Sequence, residues 1–113
     1  MMLRSLSSLR IYIRRRDSAP RSKRRQPLVT AIIDAARTAG IEYASAMYGQ
    51  EGFTLGDASG RHLPVCIELV AAPAELESFV ASHGELLAGA TLLLTEGTRL
   101  LTDVDVLVEA TQR

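Results

Sequence analysis

Leu9-Arg10-Ile11-Tyr12-Ile13 is the stretch whose reading decides the fold. Leu9, Ile11 and Ile13 alternate with Arg10 and Tyr12, the period of two expected of a half-buried strand. Residues 14 to 26 are charged and polar, include Pro20 and show no apolar periodicity, so they read as a loop. Pro27 suits the first position of a helix, because its φ is already helical and its missing N–H has no partner to lose. Leu28, Ile32, Ala35 and Ala39 then share one helical face, with Thr30, Asp34 and Arg37 elsewhere, and Gly40 permits a left-handed stop.

The pattern continues outward. Ile41 to Tyr48 mixes polar and apolar residues with a rough period of two, placing Ala44, Ala46 and Tyr48 on one face and Tyr43, Ser45 and Met47 on the other. Residues 49 to 63 hold four of the eight glycines and read as an exposed loop. Pro64 marks the boundary of a strand from Val65 to Val70, since proline cannot donate within one. Pro73 opens a second helix, with Leu76, Phe79, Val80 and Leu87 facing in and Glu75, Glu77, Ser78 and Ser82 facing out. Ala90 to Thr95 is a fourth strand, and Val104, Val106 and Val108 predict a fifth at an edge. Strand-helix-strand twice over is the order of an α+β, ferredoxin-like βαββαβ domain. No internal repeat or linker divides the chain, so residues 1–113 read as one domain with a basic loop at 14–26.

Composition bounds the function. With 47% hydrophobic residues, no Trp and few aromatics, the chain has a modest core of Ala, Leu, Ile and Val. Self-association would bury more apolar surface. The formal net charge is zero but is split: residues 1–25 carry nine basic residues and one acid, and the remainder is acidic by the same margin. Such a split favours self-association or an anionic partner for the basic arm. The single cysteine, Cys66, forms no intrachain disulfide and fits a reducing, cytoplasmic location. No apolar run approaches the ~20 residues a membrane-spanning helix needs. Met1 to Leu9 is too polar for a secretory signal. It is Arg- and Ser-rich like a transit peptide, but cleavage beyond it would delete the first strand.

Three blocks of residues resemble a known family. They are Leu9-Arg10-Ile11-Tyr12-Ile13, the run from Pro27-Leu28 through Gly40 to Tyr48-Gly49-Gln50-Glu51-Gly52-Phe53, and Leu63-Pro64-Val65-Cys66-Ile67-Glu68-Leu69-Val70. Together, over roughly Leu9 to Glu96, they resemble the PII-like domain of unknown function family numbered 190. The resemblance implies a PII-like ferredoxin fold, a homotrimer and a regulatory, non-enzymatic role. It also implies that a small effector, often an adenine nucleotide, sits in clefts between subunits. A long loop between the second and third strands would sense it and touch a partner, often a membrane transporter. The chain departs from the family pattern in a shorter loop from Phe53 to Leu63, an unusually basic first loop, and Leu87-Ala88-Gly89-Ala90-Thr91 in place of the PII nucleotide signature.

Candidate chemistry concentrates in the loop from Gly49 to His62. Gly49 and Gly52 let a backbone approach a small anionic ligand, and Glu51 would hold a ribose hydroxyl or an amine; the structural alternative is a strand end needing glycine for conformation. Arg61 offers a planar fork to phosphate and His62 a titratable group; the alternative is two solvated side chains. The basic arm, Arg14 to Arg16 and Arg21 to Arg25, makes docking on nucleic acid or membrane the second functional reading. The arm is expected to be mobile when free. No aromatic residue is interleaved between Ile13 and Pro27 for base stacking, which speaks against nucleic acid. Catalysis has little support: His62 and His83 lack a metal-ligand spacing, Cys66 reads as a buried, inert thiol, and Asp34 with Arg37 reads as a surface pair.

Overall fold

The computed structural model describes residues 3–20, 25–53 and 63–100. Its elements are β1 (Leu3–Arg14), α1 (Leu28–Thr38), β2 (Tyr43–Tyr48), β3 (Pro64–Ala71), α2 (Pro73–Ser82), α3 (Gly84–Leu87) and β4 (Thr91–Leu100). The four strands form one antiparallel sheet in the order β2-β3-β1-β4. This is the ferredoxin-like α+β arrangement, each crossover placing a helix on the same face.

Register explains which side chains are buried. Ile11 lies opposite Ile67 on β3 and Leu92 on β4, and Leu9 opposite Leu69 and Leu94. Directly opposed residues share a face. Leu9, Ile11, Ile13, Val65, Ile67 and Leu69 therefore point together at Leu28, Val29, Ile32 and Ala36 of α1 and at Leu76 and Phe79 of α2. Each fully buried aliphatic side chain contributes about 1.5–3 kcal/mol relative to exposure.

The other face carries no helix among the described residues. Its centre is polar: the Ser8 hydroxyl donates to Glu68 at 2.9 Å, and Arg10 Nε approaches the same carboxylate at 3.4 Å. Tyr12 first, and Glu68 second, hold the Arg10 guanidinium more firmly protonated than usual. Around this centre Tyr12, Tyr43, Met47 and Leu93 are exposed. β2 and β4 are the sheet edges, and Leu92 and Leu94 of β4 stay exposed in a cleft they share with Leu76, Val80 and Ala81 of α2.

Several boundaries differ from the sequence reading. β1 begins at Leu3 rather than Leu9, and β4 runs on to Leu100 rather than stopping at Thr95, because the two polar extensions pair with each other from Leu3↔Leu100 to Ser8↔Thr95. β2 starts at Tyr43 because Gly40 and Ile41 complete the end of α1. Gly40, at φ +77°, donates to Arg37 O at 3.1 Å and Ile41 to Ala36 O at 3.0 Å, the paired bonds of a Schellman stop. Pro27 precedes the helix instead of opening it: its ψ of 136° is extended and it bridges Ser18. The inward face of α1 is Leu28, Val29, Ile32 and Ala36, with Ala39 exposed, so the stripe is rotated by one residue. The second helix breaks at His83, whose ψ of 34° ends α2, so that Leu87 enters the core from α3. Cys66 is half-buried on the open face, because Val65 and Ile67 take the inward positions. The expected fifth strand at 104–108 lies outside the described residues.

The first loop is anchored where it is described. Asp17 accepts both the Arg14 backbone N–H and Arg14 Nε at 3.0 Å, its own N–H donates to Arg14 O, and its carbonyl accepts the Leu28 N–H at 2.8 Å. Ala19 N–H reaches Gln26 O at 2.8 Å. The Asp17 carboxylate and these backbone bonds join residues 14–19 to the start of α1; residues 21–24 of the loop expected to be mobile lie outside the described residues.

Candidate functional site

The ends of three strands converge. Arg14 of β1 lies opposite Pro64 of β3, and Tyr48 of β2 opposite Val65. Just beyond, Arg15 N–H donates to Leu63 O at 2.8 Å and Gly49 N–H to Pro64 O at 2.9 Å. The pairings seat Gly49 directly against the proline. A Cβ at Gly49 would stand 3.1 Å from both Pro64 Cγ and Pro64 O, so no side chain fits there without displacement. Gly52 has φ +139°, a conformation L side chains rarely adopt. Both glycines thus have structural reasons for being glycine. Glu51 is exposed, and among the described residues no hydrogen bond or ion pair engages it. Arg61 and His62 lie outside the described residues.

The sequence reading missed a neighbour of this loop. The Arg15 guanidinium sits over the Tyr48 ring at 5.5 Å from its centroid, a cation–π contact with both partners exposed. The pair presents a guanidinium that makes no ion pair among the described residues and a half-exposed aromatic face at the base of the β2–β3 connection, in which Glu51 follows Tyr48 by three residues. An arginine offers phosphate or carboxylate a forked donor, and an aromatic ring offers a planar base a stacking surface. Arg15 and Tyr48 are remote in sequence, and only the pairing of both strands with β3 brings them together.

Elsewhere the chemistry is sparse. His83 Nδ1 lies 2.8 Å from Phe79 O and its ring stacks on Phe79, with centroids 4.4 Å apart, which makes it part of the α2 terminus. Asp34 and Arg37 form the expected exposed pair at 3.4 Å. No group of His, Cys, Asp or Glu among the described residues is arranged to hold a metal. No helix among them is long and apolar enough to cross a membrane.

The start of β4, at Thr91 opposite Tyr12, belongs to the same end of the sheet as the strand-end cluster. Gly89 and Ala90 therefore flank that end too, but at the β4 edge, three strand spacings of about 4.8 Å each from β2.

The family model for DUF190, described as an uncharacterized ACR, matches residues 6–100. No curated protein matches the sequence. Among solved structures, the apo form of CPII, a nitrogen regulatory PII-like protein from Thiomonas intermedia K12, aligns with a TM-score of 0.60 at 10% identity, covering 87% of this chain and 95% of that one. The same protein bound to ADP, AMP and acetate aligns at 0.57 and 9% identity, covering 93% and 97%. A putative PII-like signaling protein from Thermus thermophilus aligns at 0.52 and 8% identity, covering 90% and 94%. At these identities the similarity is one of fold.

Proposed function

Because the chain belongs to the DUF190 family and has a PII-like fold, we propose that it is a non-enzymatic regulatory protein of the cytoplasm. In this reading it binds a small anionic effector, of the adenine nucleotide class, between the subunits of a homotrimer. One observation carries the reading. The Arg15–Tyr48 pair and the Gly89 turn flank the same end of the sheet at opposite edges, which supports a site that each subunit would supply only in part. A neighbouring subunit that brings its β4 edge to the β2 edge completes the cleft. Two features support self-association: the helix-free sheet face with exposed Tyr12, Tyr43, Met47 and Leu93, and the leucines of the β4 edge.

In the completed cleft Arg15 takes a phosphate, Tyr48 stacks on the base, and Glu51 accepts a ribose hydroxyl. Gly49 and Gly52 hold the loop in place. Arg61 and His62, from the same connection, would contribute to the anion's charge balance. Binding would then act on the β2–β3 connection, through which the protein would reach a partner such as a membrane transporter. Thermal unfolding with ADP, AMP and ATP tests this reading, because a ligand that binds only the native state raises the melting temperature. Stabilisation by at least one nucleotide, lost in Arg15→Ala, is expected. Indifference to all three would refute it.

A further inference from the structure

The end of β1 is a built, positively charged tip. The Asp17 N–H donates to Arg14 O at 3.1 Å, which makes Arg15 and Arg16 the central residues of a β-turn. The Asp17 carboxylate is taken up by Arg14, through its backbone N–H and its Nε. The acid of the turn is therefore spent on the turn itself, and Arg16 stays exposed. From here the chain runs as a short two-stranded ribbon: Ser18 bridges Pro27, Ala19 N–H reaches Gln26 O, and Leu28 N–H reaches Asp17 O. Arg25, just before Gln26, is also exposed. Among the described residues neither Arg16 nor Arg25 makes an ion pair.

An apolar side chain protrudes at the same end. The Arg15 N–H donates to Leu63 O, and Gly49 donates to Pro64 O. A Cβ on Gly52 would lie 3.5 Å from Pro64 Cγ, so the chain follows Pro64 as far as residue 52. Phe53 comes next, and at 79% it is the most exposed large hydrophobic residue described. The start of β3 thus has the arginine turn on one side and Phe53 on the other. Glu51 and Glu85 lie at this end too, but over residues 14–26 the sequence sets seven cations against one acid.

Cations beside an exposed aromatic attract two kinds of polyanion, and the shape decides between them. A single nucleic-acid strand is held in a groove whose successive aromatic rings stack its bases. Here the cations sit on a protruding turn and ribbon, and Tyr48, the neighbouring ring, already carries Arg15 over its face. A protruding tip fits a flat surface, and an anionic bilayer rewards both features: headgroups attract the cations, and an aromatic side chain enters the boundary with the acyl chains. We propose that this end of the protein docks reversibly on an anionic bilayer, with Arg16 and Arg25 against the lipid phosphates and Phe53 in the interface. The effector reading uses none of these three side chains, so the two proposals stand or fall separately.

The test is co-sedimentation of the full chain with vesicles of phosphatidylcholine alone and of phosphatidylcholine with about one-third phosphatidylserine. Binding to the anionic vesicles only is expected, and it should weaken as salt rises, because exposed charges are screened. Each basic residue near such a surface contributes roughly five-fold in partition, so Arg16→Ala/Arg25→Ala should bind about twenty-fold more weakly. Its melting temperature should match the parent, both positions being exposed. The chain has no Trp, so Phe53→Trp supplies a single fluorescent reporter. Its emission should move to shorter wavelength with anionic vesicles and stay unchanged with neutral vesicles or inorganic phosphate. A nucleotide-induced thermal shift that persists in the double variant separates this proposal from the effector reading. The proposal is overturned if anionic vesicles bind no better than neutral ones, or if an oligonucleotide binds and vesicles do not. It is also overturned if the double variant loses self-association while keeping vesicle binding, or if the Phe53→Trp emission stays fixed on vesicles that bind the protein.

Discussion

Gly49→Ala separates a structural glycine from a ligand-contacting one. The added methyl would lie 3.1 Å from Pro64 Cγ and 3.1 Å from Pro64 O. The carbonyl cannot move aside freely, because it accepts the Gly49 N–H at 2.9 Å and belongs to the first residue of β3. Overpacking of this kind costs about 1–3 kcal/mol. Loss of the Gly49–Pro64 bond would add about 0.5–1.5 kcal/mol. A total near 2 kcal/mol, divided by a urea dependence of about 1–3 kcal/mol per molar, lowers the unfolding midpoint by about 1 M. Gly89→Ala is the control: nothing lies within 4 Å of its added Cβ. That change should be neutral or stabilise by about 0.4–1 kcal/mol through the unfolded state. The assay is equilibrium urea unfolding of both variants beside the parent. If Gly49→Ala unfolds at the parent midpoint, the close approach to Pro64 does not constrain the loop, and the structural account of Gly49 is wrong.

Other substitutions probe the core, the site and the open face. Ile67→Ala, at a fully buried position in β3, should cost about 2–5 kcal/mol in urea unfolding; a loss below about 1 kcal/mol would mean that this face is not packed by α1 and α2. Arg15→Ala should lower nucleotide affinity about ten-fold in calorimetry and shift stability by no more than about 0.5 kcal/mol, as for an exposed residue; equal affinity removes Arg15 from the site. Cys66, half-buried on the helix-free face, should react slowly with a thiol reagent in the assembled protein and faster at dilutions that dissociate it. A rate independent of concentration would place the subunit interface elsewhere.

Much of the fold was legible because local chemistry and tertiary structure agree. Val65, Ile67 and Leu69 alternate in the sequence and are fully buried in β3. Pro73 opens α2 and Gly40 closes α1, each by its own backbone preference. The first half of β1 was not legible, because Arg4-Ser5-Leu6-Ser7-Ser8 has no strand pattern of its own. It is extended because Thr95 to Leu100, distant in the chain, supplies its hydrogen bonds. Cys66 was read as buried although the alternation starting at Val65 already turned it outward. At the candidate site, sequence singled out Gly49 and Gly52, but the reason for glycine at 49 is Pro64. The Arg15–Tyr48 contact depends on two strands sharing β3 as a neighbour, and no spacing in the sequence encodes that.

Native mass spectrometry of the full chain, with and without ADP, tests the central claim most directly. If each subunit supplies only part of the proposed site, it must assemble before it can bind. The predicted spectrum is dominated by a species of three chain masses that takes up as many as three nucleotides, with no nucleotide on the free monomer. A monomer that binds ADP with no trimer present would contradict the account.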